Sequence, residues 1–157
     1  MVHPITEKDT ARLKRTILEN TTELVRLHRR VHEALPGRGN LQGRRKWEQA
    51  CAEWHARYTG LAFPGGYEGV LERILAGDPE TMEAAICFLE CRPYFFRSGY
   101  MFKDILRKCR RAPLLPDQAA RLAIIDEKLV EWRKRKPAKR ATQETYNGMQ
   151  PKPGEET

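Results

Sequence analysis

The chain has 157 residues, of which 40% are hydrophobic and 32% charged, with a net charge of +8. This length is sufficient for one domain with a substantial core, and the composition is typical of a soluble, charge-rich helical protein. No apolar run approaches the roughly 20 residues that a membrane-spanning helix needs, and the first residues lack the pattern of a signal peptide. We therefore predict a cytoplasmic protein with no membrane association, whose four cysteines are reduced thiols.

The charge is unevenly distributed along the chain. Residues 61–91 contain one basic and six acidic residues, a net charge of −5, whereas residues 92–136 contain thirteen basic and five acidic residues, a net charge of +8. A basic surface favours anionic partners such as acidic proteins or nucleic acids. The acidic block can also neutralise part of the basic segment within the fold, which weakens an argument from total charge.

Two long helices joined by a short loop are predicted for residues 6–60. Thr6 is a capping residue with Asp9 three positions later, and Pro36 breaks the first helix after residue 35. The second helix begins at about Leu41 or Arg44 and ends near Thr59, with Gly60 just after it. Apolar residues recur at steps of three and four in both helices: Leu13, Ile17, Leu24, Leu27 and Val31 in the first, and Trp47, Cys51, Trp54, Tyr58 and Leu61 in the second. The pattern predicts an antiparallel hairpin, which closes either within a monomer or in a homodimer.

Four shorter helices are predicted in residues 61–136. The first covers about 67–76. Asp78 followed by Pro79 is a strong helix start, and that helix extends to about Cys91. Ser98 is predicted to cap a helix over 99–111, and the last helix covers about 117–136. These helices resemble HEAT or armadillo units in their hairpin stacking, although no repeat of fixed period is present.

The predicted fold is thus all-α, with about six helices: an N-terminal antiparallel hairpin packed on a C-terminal group of shorter helices. Residues 1–136 are predicted to form a single helical domain. Residues 137–157 are rich in proline, glycine, glutamine, lysine and glutamate, and are predicted to form a disordered, basic and polar tail.

Metal ligation has one weak candidate set on the hairpin. His28 and His32 lie one helical turn apart, and Cys51 and His55 repeat this spacing on the second helix. However, Pro36 stands where a zinc-protease helix would place another histidine. Cys51 occupies a seam position that suits a small apolar side chain. We therefore predict no metal and no other cofactor, and retain a zinc-dependent protein only as a third hypothesis.

Catalytic motifs are not found. Ser98 is the only serine, and its neighbours lack the turn sequence of a nucleophilic serine. The glycines at 60 and 65 have the first spacing of a phosphate-binding loop, but the lysine and hydroxyl residue that should follow are missing. We predict that the protein is not an enzyme.

Residues 92–111 combine five of the thirteen aromatic residues with seven basic residues and a single acid, Asp104. The residues predicted to bind a partner are Tyr94, Phe95, Phe96, Arg97, Lys103, Arg107, Arg110 and Arg111. Because the three consecutive aromatics cannot all point inward, at least one should lie at the surface. We predict a non-catalytic helical interaction module that binds an acidic protein partner through this aromatic-basic segment.

A nucleic-acid-binding accessory protein is the alternative prediction. It would use the basic face of the 99–111 helix together with a C-terminal basic cluster. The residues of that cluster are Arg133, Lys134, Arg135, Lys136, Lys139 and Arg140. Aromatic residues would support single-strand stacking only if they are exposed.

Overall fold

The computed structural model describes the backbone of residues 4–148 and the side chains of residues 4–135. This part of the chain contains six α-helices and no β-strand. The helices are α1 (Glu7–Ala34), α2 (Leu41–Ala62), α3 (Val70–Ala76), α4 (Pro79–Cys91), α5 (Ser98–Cys109) and α6 (Pro116–Gly148). The predicted all-α fold with about six helices is confirmed.

The hairpin begins and turns at residues that the sequence marks clearly. Thr6 Oγ1 accepts a hydrogen bond from the Asp9 amide at 3.2 Å, and the Asp9 carboxylate accepts one from the Thr6 amide at 3.0 Å. A short 3-10 helix, Leu35–Gly39, follows α1, and the Asn40 side chain then caps α2 by accepting from the Gly43 amide at 2.8 Å. The predicted cap at Thr6 and the predicted break after residue 35 are confirmed.

Helices α1 and α2 pack against each other in antiparallel orientation. Glu23 pairs with Arg57 at 2.6 Å, and Arg30, further along α1, pairs with Glu53, which comes earlier in α2. This order of contacts shows that the two helices run in opposite directions. The buried apolar residues of the pair are Leu13, Ile17, Leu24 and Leu27 of α1, and Ala50, Trp54 and Ala62 of α2. Helix α2 continues through Gly60 to Ala62 instead of ending near Thr59, because packing of its last turn outweighs the low helix propensity of glycine.

Helix α4 packs against three other helices, α1, α3 and α5. The Asp78 carboxylate caps it by accepting from the Thr81 amide at 3.0 Å, as the sequence predicts. Every residue from 81 to 89 is buried. The sequence indicated only one apolar face, but a helix with neighbours on several sides is buried all round.

Helix α5 starts differently from the prediction. Its N-cap is Arg97, whose backbone is left-handed, and Ser98 is the first helical residue. The Ser98 hydroxyl accepts from the Phe95 amide at 3.0 Å, so it stabilises the preceding turn and does not cap the helix. The inner face of α5 consists of Met101, Ile105, Leu106 and Cys109, whereas Phe102 is only half-buried.

The chain divides into two compact units, Met1–Leu122 and Ala123–Thr157. Because the boundary lies within α6, the single domain predicted for 1–136 stays a prediction. The last helix was expected to end near Lys136, whereas α6 extends to Gly148. Alanine, lysine, arginine, glutamine and glutamate after Pro137 are good helix formers, which favours this extension. Residues 149–157 of the predicted tail lie outside the described residues.

Candidate interaction surface

The turn between α4 and α5 contains two non-glycine residues with left-handed backbone. Arg92 has a φ of 46° and Arg97 a φ of 66°. Such angles are uncommon for residues with a side chain, and they persist where the surrounding structure determines them. Between these residues the chain alternates, with Pro93 and Phe95 buried and Tyr94 and Phe96 turned outward. Residues 94–97 are called the aromatic turn below.

The aromatic turn is fixed from beneath. Phe95 is only 7% exposed, and its ring centroid lies 6.2 Å from that of Tyr58 and 6.4 Å from that of Phe88. The Tyr58 hydroxyl donates a hydrogen bond to the Phe96 carbonyl at 2.8 Å. Together with the hydrogen bond from the Phe95 amide to the Ser98 hydroxyl, these contacts fix the conformation of the turn.

Three aromatic rings are displayed on and next to this turn. Tyr94 is 89% exposed, Tyr100 72% and Phe96 47%. The guanidinium carbon of Arg97 lies 5.3 Å from the centre of the Phe96 ring, in a cation–π arrangement. Exposed aromatic residues grouped with an arginine are the residue types that contribute most to protein interfaces.

Phe96 joins the turn to the hairpin. Its ring stacks on His28 with a centroid distance of 5.2 Å and lies edge-on to Trp54 at 6.1 Å. Burial, and to a smaller extent the neighbouring His32, lowers the pKa of His28 below its ordinary value of 6.5. His28 is therefore held in its neutral form, which suits its position among aromatic rings.

A line of basic side chains continues from the aromatic turn along the outer face of α5 and into the turn after it. These residues, called the basic stripe below, are Lys103, Arg107, Arg110 and Arg111, and all four are exposed. The stripe follows Tyr100 at intervals of about one helical turn, opposite the buried face of α5. Its only acidic neighbour on α5 is Asp104, which approaches Arg107 at 3.9 Å.

Of the eight residues predicted to bind a partner, seven therefore lie at the surface. Phe95 is the exception: it belongs to the core and supports the turn from below. Sequence reasoning could not assign the inward member of the three consecutive aromatics, because the left-handed residues on either side of them set their orientation.

The acidic block is engaged largely away from the basic stripe. Glu83, only 2% exposed, accepts hydrogen bonds from Arg121 Nη1 with both carboxylate oxygens, at 3.0 and 2.8 Å. Thr10 donates to the same carboxylate at 3.0 Å and Gln118 at 3.2 Å. Arg121 also pairs with Glu90, which in turn approaches Lys14 at 3.4 Å.

This buried cluster was not found in the sequence, although an acid in the middle of an otherwise apolar helix was an available signal. Burial alone would raise the pKa of Glu83, but the hydrogen bonds from Arg121 and Gln118 and the charge of Arg121 lower it below the ordinary 4.5. Every carboxylate oxygen already has partners, so the cluster is suited to holding the start of α6 on α4 and α1. It does not resemble an open catalytic site.

The weak metal-ligand candidates do not converge. His28 and His32 touch, with perpendicular rings 4.5 Å apart, but His28 faces aromatic rings. Cys51 is half-buried and His55 is exposed. Among the residues whose side chains are described, no three His, Cys, Asp or Glu side chains are grouped so that they could hold a metal ion.

The cysteines have the character of core residues. Burial raises the pKa of Cys87 and that of Cys109 to about 12 in each case, with the Glu83 carboxylate adding to the effect at Cys87. Burial also raises the pKa of Cys91. Since the thiolate is the reactive form, these three thiols are poorly suited to nucleophilic chemistry at neutral pH.

The C-terminal basic cluster is described only in part. Arg133, Lys134 and Arg135 of α6 are exposed, and Arg135 approaches Glu131 at 3.9 Å. The side chains of Lys136, Lys139 and Arg140 lie outside the described ones, although the backbone at these positions is helical.

Comparison of the chain with protein-family models, with curated proteins and with solved structures finds no match. Of the helices between residues 4 and 148, none has the length and apolar character required to cross a bilayer.

Proposed function

We propose that this protein is a non-catalytic interaction module that binds an acidic protein partner through the aromatic turn and the basic stripe. The observation that carries the proposal is the exposure of Tyr94 and Phe96 on a turn that core contacts fix in place, with Arg97 over the Phe96 ring and Tyr100 exposed in the first turn of α5. Exposed aromatic residues that are grouped in one patch often mark a protein-interaction site.

The two parts of the surface have different tasks in this proposal. Tyrosine and arginine are among the residues that supply most of the binding energy in typical interfaces, and a preformed turn reduces the entropy lost on binding. The basic stripe attracts an acidic surface over a longer range and sets its orientation. An acidic partner therefore meets the stripe first and is then held by the aromatic turn.

Affinity capture from native cells, with and without nuclease treatment, tests this function. The wild-type protein should capture an acidic protein, and this binding should survive nuclease treatment. The variants Tyr94→Ala and Arg97→Glu should each fail to capture it. Arg44→Glu on α2 is the matched charge control, because Arg44 is remote from the aromatic turn. It lies about ten residues, or roughly 15 Å along the helix, from Trp54, the α2 residue that contacts Phe96. Retention of the partner by both Tyr94→Ala and Arg97→Glu, with folding intact, would show that the aromatic turn is not the site.

Nucleic-acid binding is the second candidate function, and the exposure of Tyr94, Tyr100 and residues 133–135 favours it. Stacking of a base on Phe96 is less favoured, because His28 and Arg97 already lie over that ring. If the protein binds nucleic acid, single-stranded DNA or RNA should shift in an electrophoretic mobility assay, and the shift should weaken steeply as the salt concentration rises. Absence of a shift at low salt would remove it.

A further inference from the structure

We infer that the partner presents an acidic, amphipathic α-helix that lies along α5. This inference rests on the proposed function and specifies the form of the partner at the same surface. It is carried by the spacing of the exposed residues on α5, by their charge and by the position of the aromatic turn at one end of the stripe.

The spacing of the stripe matches a second helix. Tyr100, Lys103 and Arg107 follow one another at three or four residues on α5, so exposed side chains recur about every 5.4 Å over about 10 Å, and Arg111 is exposed in the turn after the helix. Acidic residues at the same intervals on a facing helix recur at the same distance, so each can lie opposite one of these side chains. An extended chain places side chains of one face about 6.8 Å apart and loses this match within a few residues.

The surface also has polarity along its length. The aromatic turn and Tyr100 lie at the N-terminal end of α5, whereas the basic stripe continues to the turn that follows it. The matching helix thus has one or two large apolar residues near one end and Asp or Glu on the same face for the following two turns. The opposite face of α5 is occupied by the core, so only this outer face is offered.

Designed peptides of about four helical turns test the inference by fluorescence anisotropy with the full-length protein. The first has two leucines at one end and glutamates along one face. The second has the same composition with the glutamates distributed around the helix. We expect the first to bind at least about fivefold more tightly, since several exposed ion pairs contribute modestly each, and to gain helical circular dichroism when bound.

Protein variants locate the binding. Lys103→Glu combined with Arg107→Glu should abolish the preference for the first peptide, while Arg44→Glu combined with Arg45→Glu leaves it unchanged. Equal binding of the two peptides would overturn the helical form of the partner while leaving an acidic partner in place. Tighter binding of a single-stranded oligonucleotide than of either peptide, together with failure of the protein capture, would overturn both this inference and the proposed function.

Discussion

Arg121 is the basic residue that neutralises the buried carboxylate of Glu83. Its guanidinium bonds Glu83 and Glu90 together, and its side chain is only 16% exposed. A buried ion pair does not by itself add stability, because two charges lose their hydration. Removing one partner is costly, however, since the remaining charge stays buried without its counterpart. The cluster thus makes the attachment of the start of α6 sensitive to a single substitution.

Glu83→Gln tests the charge of this cluster through pH. The pKa of Glu83 is below 4.5 in the folded state, so the unfolded state binds more protons as the pH falls below about 4.5 to 5. The stabilisation is therefore complete above this range and is lost as the pH falls through the lowered pKa. At pH 7 the free energy of unfolding of the variant should be about 1.5–3 kcal/mol lower than that of the wild type, because the charged hydrogen bonds of Glu83 are weakened while Glu90 still pairs with Arg121.

Urea unfolding at several pH values measures this difference. The gap between wild type and Glu83→Gln should shrink as the pH is lowered from about 5 through the lowered pKa of Glu83. Glu80→Gln, at an exposed position of the same helix, is the control and should follow the wild type throughout. A gap that is constant across this range would contradict a charged Glu83.

Arg97 illustrates a conflict between stability and binding at one position. Its φ of 66° costs a residue with a side chain about 1 kcal/mol or more, and glycine avoids this cost. Arg97→Gly should therefore be about 0.5–1 kcal/mol more stable than Arg97→Ala, as measured by thermal unfolding. Both variants lack the guanidinium beside Phe96, so both should bind the acidic partner equally poorly.

The two variants separate strain from recognition. If Arg97→Gly were less stable than Arg97→Ala, the left-handed conformation of the turn would be wrong. If either variant bound the partner as the wild type does, the guanidinium would have no part in recognition.

At the scale of the elements, the junction of the hairpin depends on a close approach of two backbones. A Cβ placed on Gly43 would lie 1.7 Å from the Gly37 carbonyl oxygen, which no side-chain movement can relieve. Gly60 is in the same helix, yet a Cβ there meets nothing within 4 Å. The same substitution at the two positions therefore has opposite consequences.

Gly43→Ala should lower the melting temperature by several degrees, because the 3-10 helix must move away from α2. Gly60→Ala should raise the free energy of unfolding by about 0.5–1 kcal/mol, because alanine favours the helix over glycine. Thermal unfolding followed by circular dichroism measures both. Destabilisation by Gly60→Ala would contradict the continuation of α2 to Ala62.

The elements also show which features can be predicted from sequence. The caps at Thr6 and Asp78 were predictable because their hydrogen bonds join residues three positions apart. The continuation of α2 through Gly60 was not, since it depends on packing with distant residues. The Ser98 hydrogen bond also spans three positions, but it points back to Phe95 because the backbone at Arg97 is left-handed. Burial of α4 on all sides likewise requires knowledge of its neighbours.

At the scale of the whole molecule, the sequence located the candidate surface, but it did not show which residues of that segment are buried and which are exposed. The aromatic-basic composition of residues 92–111 identified the segment, but it did not show that Phe95 is buried and Tyr94 exposed. Nor did it show that Arg121 of the basic segment is withdrawn into an ion cluster with Glu83. Net charge is thus a weaker guide to the partner than the position of each charge.

The kinetics of partner binding test this division between charge and aromatic contact. Because the basic stripe acts at long range, Lys103→Glu should slow association and reduce its dependence on salt, with a small effect on dissociation. Tyr94→Ala should instead accelerate dissociation, because an aromatic contact is made only in the final complex. Surface plasmon resonance between about 0.05 and 0.3 M salt, where the screening length shortens from roughly 14 to 6 Å, measures both rates. Arg44→Glu controls for total charge. If it slowed association as much as Lys103→Glu, steering would come from net charge, and the stripe along α5 would have no special part in recognition.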